Sequence, residues 1–94
     1  MAVIEREARI VNPLGVHARP AAEFVKTAGR FKSAIEVRRG DVTVNGKSIM
    51  GVMMLAAEFG ATLVIAANGD DAEAAVDALC ALVAAGFNEM DLTE

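Results

Sequence analysis

One histidine stands in the sequence, His17, where a strand-like pattern gives way to a helix-like pattern. A neutral imidazole is a good nucleophile near neutral pH. Arg19 follows two positions later, and a guanidinium carries a permanent charge in a geometry suited to phosphate. If a helix begins beside His17, the backbone N–H groups of Ala18 and Arg19 have no intrahelical acceptor and favour a bound anion. The segment therefore predicts a nucleophile whose phosphorylated form is stabilised by its surroundings.

A lone histidine also fits a purely structural role, as a packed or capping side chain. A zinc site is a poor alternative, because there is no second histidine and Cys80 falls in a separate predicted helix. Asp70 and Asp71 indicate a helix start, and Glu89 with Asp91 indicates a solvated tail rather than an acid/base pair. We therefore expect no metal site and no cofactor.

Two predicted elements flank His17. Residues 3–11 alternate between apolar and polar types, as a strand does, and residues 12–15 form a break. A helix is predicted from Pro20, since proline is tolerated in a first turn, and it ends at Gly29. The apolar residues at helical spacing are Ala21, Phe24, Val25 and Ala28. His17 is thus expected at the start of an amphipathic helix.

The remainder of the chain predicts a hairpin over residues 35–44, a short helix over 48–55 and a strand over 61–67. A last helix is expected to begin at a capping box formed by Asp70 and Glu73 and to stop at Gly86. Residues 87–94 are expected to form a short, frayed tail. The order β-α-β-β-α-β-α predicts a two-layer α+β fold, a sheet with helices on one side, and residues 1–94 form a single domain.

The short helix that begins after Ser48 is almost wholly apolar. Ser48 is well placed to cap it. A short helix that is apolar all round cannot bury every side chain against one sheet. Either neighbouring loops cover the excess, or it remains exposed as a docking patch in which flexible methionines suit several partners. The side chains expected to be exposed are Ile49, Met50, Met53 and Met54, and the expected docking residues are Ile49, Met50 and Met53.

Composition narrows the class of protein. The 94 residues suit one domain, and the single cysteine excludes an internal disulfide. No apolar run approaches the ~20 residues of a membrane span, and the first residues do not form a signal peptide, so we expect a cytoplasmic protein without membrane insertion. The net charge of −4 and the few aromatic residues argue against nucleic-acid binding.

The charges divide unevenly along the chain. Residues 1–47 hold all nine Lys and Arg with five acids, whereas residues 48–94 hold eight acids and neither Lys nor Arg. If Arg19, Lys26, Arg30 and Lys47 gather near His17, that end of the molecule attracts an acidic partner. The fold could equally interleave the two halves.

Two motifs resemble the HPr family, the histidine-containing phosphocarrier proteins of the bacterial phosphoenolpyruvate-dependent sugar phosphotransferase system. The family's active-site signature is similar to Gly15-Val16-His17-Ala18-Arg19-Pro20-Ala21, and its second signature is similar to Lys47-Ser48-Ile49-Met50-Gly51-Val52-Met53. Length and element order also match, whereas the stretch from Met54 to Phe59 is less typical. The resemblance implies an open-faced sandwich with a four-stranded antiparallel sheet and three helices on one face.

The resemblance also implies roles for individual residues. His17 would accept a phosphoryl group on Nδ1 from enzyme I and pass it to a histidine of a sugar-specific IIA domain. Arg19 would steady the phosphoryl group, and the apolar helix would dock both partners. Ser48 would be a regulatory site for an ATP-dependent HPr kinase. The chain would then be a carrier rather than a turnover enzyme.

Two other function classes stay open. A regulatory member of the same family, of the nitrogen type or acting with a transcription factor, would keep both His17 and Ser48. A small ligand-binding α+β regulatory domain would leave the pairing of His17 with Arg19 unexplained. The sequence does not identify the transported sugars or the receiving IIA domains.

Overall fold

The predicted order of strands and helices is confirmed in the computed structural model, which describes residues 3–89. Four strands and three α-helices are followed by a single 3-10 turn, Gly86–Asn88. In chain order they are β1 (Val3–Arg9), α1 (Ala18–Ala28), β2 (Ala34–Arg39), β3 (Val42–Asn45), α2 (Ile49–Met54), β4 (Thr62–Asn68) and α3 (Ala72–Ala84).

The strands form one antiparallel sheet in the order β1-β4-β2-β3. Strand β4 lies between β1 and β2, and it pairs with β1 over seven residue pairs. Strands β2 and β3 are joined by Gly40 and Asp41, and Gly40 adopts a positive φ of 58° that a tight hairpin turn favours. The α+β open-faced sandwich is therefore confirmed.

The core lies between the sheet and the helices. In β2, Ile35 and Val37 point into the core while their neighbours point outward, as the period of two requires. Helix α1 contributes Phe24 and α3 contributes Leu79, both almost fully buried. Helix α3 packs on β1 and β4, and α1 packs against both α2 and α3. This packing holds α1, and with it the first turn that follows His17, against α2 and α3.

Two helix starts differ from their predictions. Helix α1 begins at Ala18, two residues before the predicted Pro20, and His17 is its N-cap. The predicted capping box of Asp70 and Glu73 is wrong, because the N-cap of α3 is Asp71 and its side chain makes no capping hydrogen bond. The Asp71 carboxylate instead accepts hydrogen bonds from the Ser33 hydroxyl and from the backbone N–H groups of Lys32 and Ser33. A long-range partner has replaced the local one.

Cys80 is the one cysteine of the sequence, and it lies on α3 as the sequence predicts. Its side chain is only half-buried on α3, and partial burial is the main cause that raises the pKa of its thiol. Arg6 and Asp77 form an exposed ion pair beside it. Within residues 3–89, no group of side chains is arranged to hold a metal ion, and no helix is long and apolar enough to cross a bilayer.

Candidate functional site

His17 occupies the N-cap of α1 in an extended conformation, with φ −85° and ψ −168°. Its carbonyl accepts the first hydrogen bond of the helix, from the Ala21 N–H at 3.0 Å. The N–H groups of Ala18 and Arg19 precede that bond and therefore have no intrahelical acceptor, while Pro20 has no N–H to satisfy. The first turn carries no acidic side chain. Two backbone donors at the positive end of a helix thus adjoin the imidazole.

The loop before His17 is fixed by close backbone contacts. Gly15 has a φ of 71°, and a Cβ there would lie 2.5 Å from the Ala57 carbonyl oxygen and 2.9 Å from the Glu58 Cα. Only glycine fits this position, because both the conformation and the space exclude a side chain. The Val16 N–H donates to the Ala57 carbonyl at 2.8 Å, and the His17 N–H donates to the Gly15 carbonyl at 3.1 Å.

The imidazole of His17 contacts Glu89, a residue that sequence reasoning assigned to a solvated tail. The Nε2 atom lies 3.0 Å from Oε2 and 3.2 Å from Oε1 of the carboxylate. Because a carboxylate only accepts hydrogen bonds, Nε2 must be the donor, and a neutral ring then keeps its lone pair on Nδ1. Within residues 3–89, Nδ1 has no hydrogen-bond partner. The contact therefore leaves Nδ1 as the ring nitrogen with an available lone pair in the neutral imidazole.

Asn12 joins the loop to the same carboxylate. Its side chain is fully buried, and Nδ2 donates to the Gly15 carbonyl and to Glu89 Oε2, each at 2.8 Å. Its Oδ1 is buried with no hydrogen-bond partner in the part of the chain that the structure describes. A buried acceptor without a partner carries a free-energy cost. The two hydrogen bonds that Nδ2 donates offset the cost of the unpaired Oδ1.

A left-handed turn brings Glu89 to the histidine. Gly86, Phe87 and Asn88 all have positive φ, of 65°, 56° and 61°. Left-handed backbone costs roughly 1–2 kcal/mol for a residue with a Cβ, and the burial of Phe87 in the core offsets it. The prediction of a frayed tail from residue 87 is therefore wrong for residues 87–89, and residues 90–94 lie outside the described part.

Two features of the sequence bear on this arrangement without specifying it. A large aromatic residue directly after the helix stop, Phe87 after Gly86, indicates that the chain turns back onto the core rather than into solvent. Asn12 lies in a break rich in turn residues, and a turn was the simpler interpretation. Neither feature specifies that the two segments, 72 positions or more apart, converge on one imidazole.

Arg19 lies beside His17 on the first turn of α1 and is exposed to solvent. The other basic residues named with it do not gather there. Lys26 and Arg30 lie at the opposite end of α1, a helix of 11 residues that is about 16 Å long. Lys47 donates through Nζ to the Phe31 carbonyl, just beyond that same end. The positive side chain beside the imidazole is thus Arg19.

Helix α2 follows the prediction for its cap and its exposure. The Ser48 hydroxyl oxygen accepts a hydrogen bond from the Gly51 N–H at 3.0 Å, which confirms the N-cap. Val52 is buried, whereas four apolar side chains remain exposed, with Met50 the most exposed at 73%. We call this group the apolar patch; its members are Ile49, Met50, Met53 and Met54. Because α1 packs against α2, the patch belongs to the helical layer that carries His17.

Comparison with known proteins connects this geometry to a family. The model of the PTS HPr component phosphorylation site matches residues 4–85. A phosphocarrier protein HPr from Cupriavidus necator is 45% identical over 93% of this chain and 98% of its own length. A phosphocarrier protein NPr from Shewanella violacea is 39% identical over 95% of this chain and 98% of its own length.

A solved structure agrees with the sequence matches. The crystal structure of HPr-C-His from Thermoanaerobacter tengcongensis superposes with a TM-score of 0.88 at 45% identity, over 92% of this chain and 97% of that one. Family model, curated relatives and solved fold each span nearly the whole chain. The chain belongs to the HPr family of phosphocarrier proteins.

Proposed function

We propose that this protein carries a phosphoryl group on Nδ1 of His17, which it takes from phospho-enzyme I and gives to a histidine of a sugar-specific IIA domain. The observation that carries the proposal is the arrangement around the ring. Glu89 engages Nε2, and the first-turn N–H groups of α1 lie beside the imidazole. The family membership supports the same role.

The transfer conserves atoms and charge. The Nδ1 lone pair of His17 attacks the phosphorus atom of the donor phosphohistidine, and the donor N–P bond breaks with its electrons returning to the donor ring. The Nε2–H stays bonded to the Glu89 carboxylate, which offsets the positive charge that develops on the His17 ring. Transfer to a IIA histidine repeats the exchange with His17 as the donor.

The phosphoryl oxygens need donors in both complexes. In the proposal they are met by the N–H groups of Ala18 and Arg19 and by the Arg19 guanidinium. Arg19 is exposed, so Arg19→Ala should fold normally yet transfer the phosphoryl group slowly. Arg19→Lys should keep the positive charge but lose the bidentate hydrogen bonding of a guanidinium. An unchanged transfer rate in Arg19→Ala would refute its assigned role.

Docking is assigned to the apolar patch. Ile49, Met50 and Met53 are the proposed contact residues for enzyme I and the IIA domains, because they are exposed apolar side chains on the helix that packs against α1. Flexible methionine side chains adapt to more than one partner surface. An adaptable patch suits a protein that must bind a donor and an acceptor in turn.

Phosphoryl acceptance is the experiment that tests the proposal. The protein is mixed with enzyme I and phosphoenolpyruvate, and acid-labile phosphate is followed on the chain before and after a IIA domain is added. We expect wild type to accept phosphate and lose it to the IIA domain, and His17→Ala to accept none. Acceptance by His17→Ala, or none by wild type, would refute the carrier function.

Ser48 is proposed as a second, regulatory phosphorylation site, used by an ATP-dependent HPr kinase. The hydroxyl already caps α2, and a phosphate at a helix start is favoured by the helix dipole. It would also add negative charge beside the apolar patch. Incubation with the kinase and ATP should place phosphate on Ser48 and none on Ser48→Ala, and peptide mapping that finds Ser48 unmodified would contradict this.

A regulatory role in a nitrogen-type system, or with a transcription factor, is the second candidate. The similarity to a protein named NPr favours keeping it. Rates of transfer to sugar-type and nitrogen-type IIA domains separate the two candidates, since the physiological acceptor should be served faster. The single domain and the cytoplasmic location expected from the sequence remain part of both proposals.

A further inference from the structure

We propose that Arg39 is a positioning residue for His17: it holds residues 55–58 in the one conformation that supports the loop before the histidine. The proposal rests on the phosphoryl transfer argued above only for its consequence on rate. The structural part, the hold of Arg39 on the loop, stands on contacts of its own.

Arg39 ends strand β2 on the face that packs against the helices, in line with Ile35 and Val37. Its Nη1 donates to the carbonyls of Leu55 and Ala56, at 3.1 and 2.8 Å. These carbonyls lie at the C-terminal end of α2. No helical N–H group follows there to donate a hydrogen bond to them. The guanidinium therefore closes the end of α2 from the sheet.

The same guanidinium pairs with Glu58. Arg39 Nη2 lies 2.7 Å from Glu58 Oε1. The pKa of the Glu58 carboxyl lies below its usual range because it accepts from its own backbone N–H and from Arg39. An exposed ion pair alone contributes little to stability. Together with the two carbonyl bonds, however, it fixes the guanidinium at both ends of a four-residue segment.

The segment needs that restraint because Ala56 is left-handed. Its φ is 49°, a region that costs a residue with a Cβ roughly 1–2 kcal/mol. Most of the other backbone bonds of the segment are local: the N–H groups of Leu55 and Ala56 donate back into α2, and the Glu58 carbonyl accepts from the Ala61 N–H. The Arg39 bonds lie on both sides of the strained residue. They offset the cost and select this conformation over a relaxed one.

The contacts continue from this segment to the histidine. The Ala57 carbonyl accepts from the Val16 N–H at 2.8 Å, and Gly15 packs directly on Ala57 and Glu58. The Gly15 carbonyl accepts from the His17 N–H. If residues 55–58 relax, Val16 loses its acceptor and the loop that sets the His17 backbone loses its support. Arg39 thus acts through Ala57 and Val16.

The first test measures the hold on the loop without reference to function. Amide hydrogen exchange is followed at Val16 and, as a core reference, at Ile65 in Arg39→Ala and in Arg38→Ala. Arg38 is the matched control, because it precedes Arg39 and points to the other sheet face, 3.7 Å from Glu5. We expect Val16 to exchange about tenfold faster in Arg39→Ala, the loss of one charged hydrogen bond. Unchanged Val16 exchange would overturn the proposal, as would equal acceleration at Ile65.

The second test asks whether the strain at Ala56 is what Arg39 offsets. Glycine adopts positive φ without penalty, so Ala56→Gly in the Arg39→Ala background should recover most of the Val16 protection. The initial rate of His17 phosphorylation by enzyme I should fall with Arg39→Ala and recover in the double variant. A double variant no better than Arg39→Ala would refute the mechanism. If wild type accepts no phosphate, the carrier function fails, and the exchange data still decide the role of Arg39.

Discussion

The carboxylate of Glu89 lies 3.0 Å from Nε2 of His17, although the two residues are 72 positions apart. Glu89 is 5% exposed, whereas the histidine side chain is 40% exposed. A buried carboxylate thus anchors Nε2 of the ring and leaves Nδ1 without a hydrogen-bond partner among residues 3–89. This division of the two ring nitrogens is what a phosphoryl carrier needs, since one atom reacts and the other must stay bound.

Replacing Glu89 with glutamine tests this division. Glu89→Gln keeps an oxygen that can accept from Nε2 but removes the negative charge that offsets the developing charge on the ring. We expect phosphoryl acceptance from enzyme I to slow about tenfold, the effect of roughly 1.4 kcal/mol in the transition state. Rapid-quench measurement of phosphate on His17 gives the rate. Glu7→Gln, an exposed change on β1, is the control, and equal rates for the two variants would contradict the role of Glu89.

Asn12 should contribute to stability through its two donated bonds. Asn12→Ala leaves the buried Gly15 carbonyl and Glu89 carboxylate each short of a donor, so the free energy of unfolding should fall by about 1–3 kcal/mol. Urea unfolding at neutral pH measures it. The exposed Asn68, at the end of β4, provides the control Asn68→Ala. A loss no larger than that of the control would show that the Asn12 bonds carry no net stability.

Asp71 predicts a specific dependence of stability on pH. The Ser33 hydroxyl, then the Lys32 N–H, lower the pKa of Asp71 from 3.8 to about 2. A lowered pKa means that the carboxylate stabilises the fold above the unfolded-state value, and that this contribution is lost as the pH falls through the folded-state value. The stability difference between wild type and Asp71→Asn should be constant near neutral pH and shrink between about pH 4 and 2.

Unfolding curves collected across that pH range measure the effect. Asp70→Asn, at the exposed neighbouring position, is the control for the change of net charge. Ser33→Ala should move the pKa of Asp71 back toward its ordinary value, because it removes the largest cause of the shift. A wild-type advantage that persists undiminished at pH 2 would contradict the assignment to Asp71.

The apolar patch predicts a separation of binding from stability. Met50 is exposed, so Met50→Ala should change the free energy of unfolding by less than about 0.5 kcal/mol. Its affinity for enzyme I, measured by calorimetry, should nevertheless weaken about tenfold. Val42→Ala is the matched control, an exposed apolar residue on the edge strand β3. Equal affinities for the two variants would place the docking surface elsewhere.

Much of the fold could be predicted because its signals are local. The alternation in β2, the Ser48 cap and the glycine of the hairpin each depend on residues a few positions apart. The exposure of the apolar patch could be predicted because a short helix that is apolar all round cannot bury every side chain, and the structure confirms it. These elements need no knowledge of the rest of the chain.

The remainder depends on contacts between distant segments. The Asp71 carboxylate accepts a hydrogen bond from Ser33 instead of capping its own helix. Glu89 is directed inward by three preceding residues with positive φ instead of extending into solvent. A local pattern assigns acidic residues to caps and solvated tails, because that is their usual place. In this fold the burial of Phe87 in the core brings Glu89 within hydrogen-bond distance of Asn12.

The proposed function depends on phosphate being carried on Nδ1 of His17. The most direct measurement is NMR of the protein labelled with ¹⁵N in histidine and phosphorylated by enzyme I and phosphoenolpyruvate. Because the sequence holds a single histidine, the ¹⁵N signals come from the His17 ring alone. We expect a phosphorus–nitrogen coupling at Nδ1, with Nε2 still protonated and bonded to Glu89. Phosphorus bonded to Nε2, or phosphate found on a residue other than His17, would contradict it.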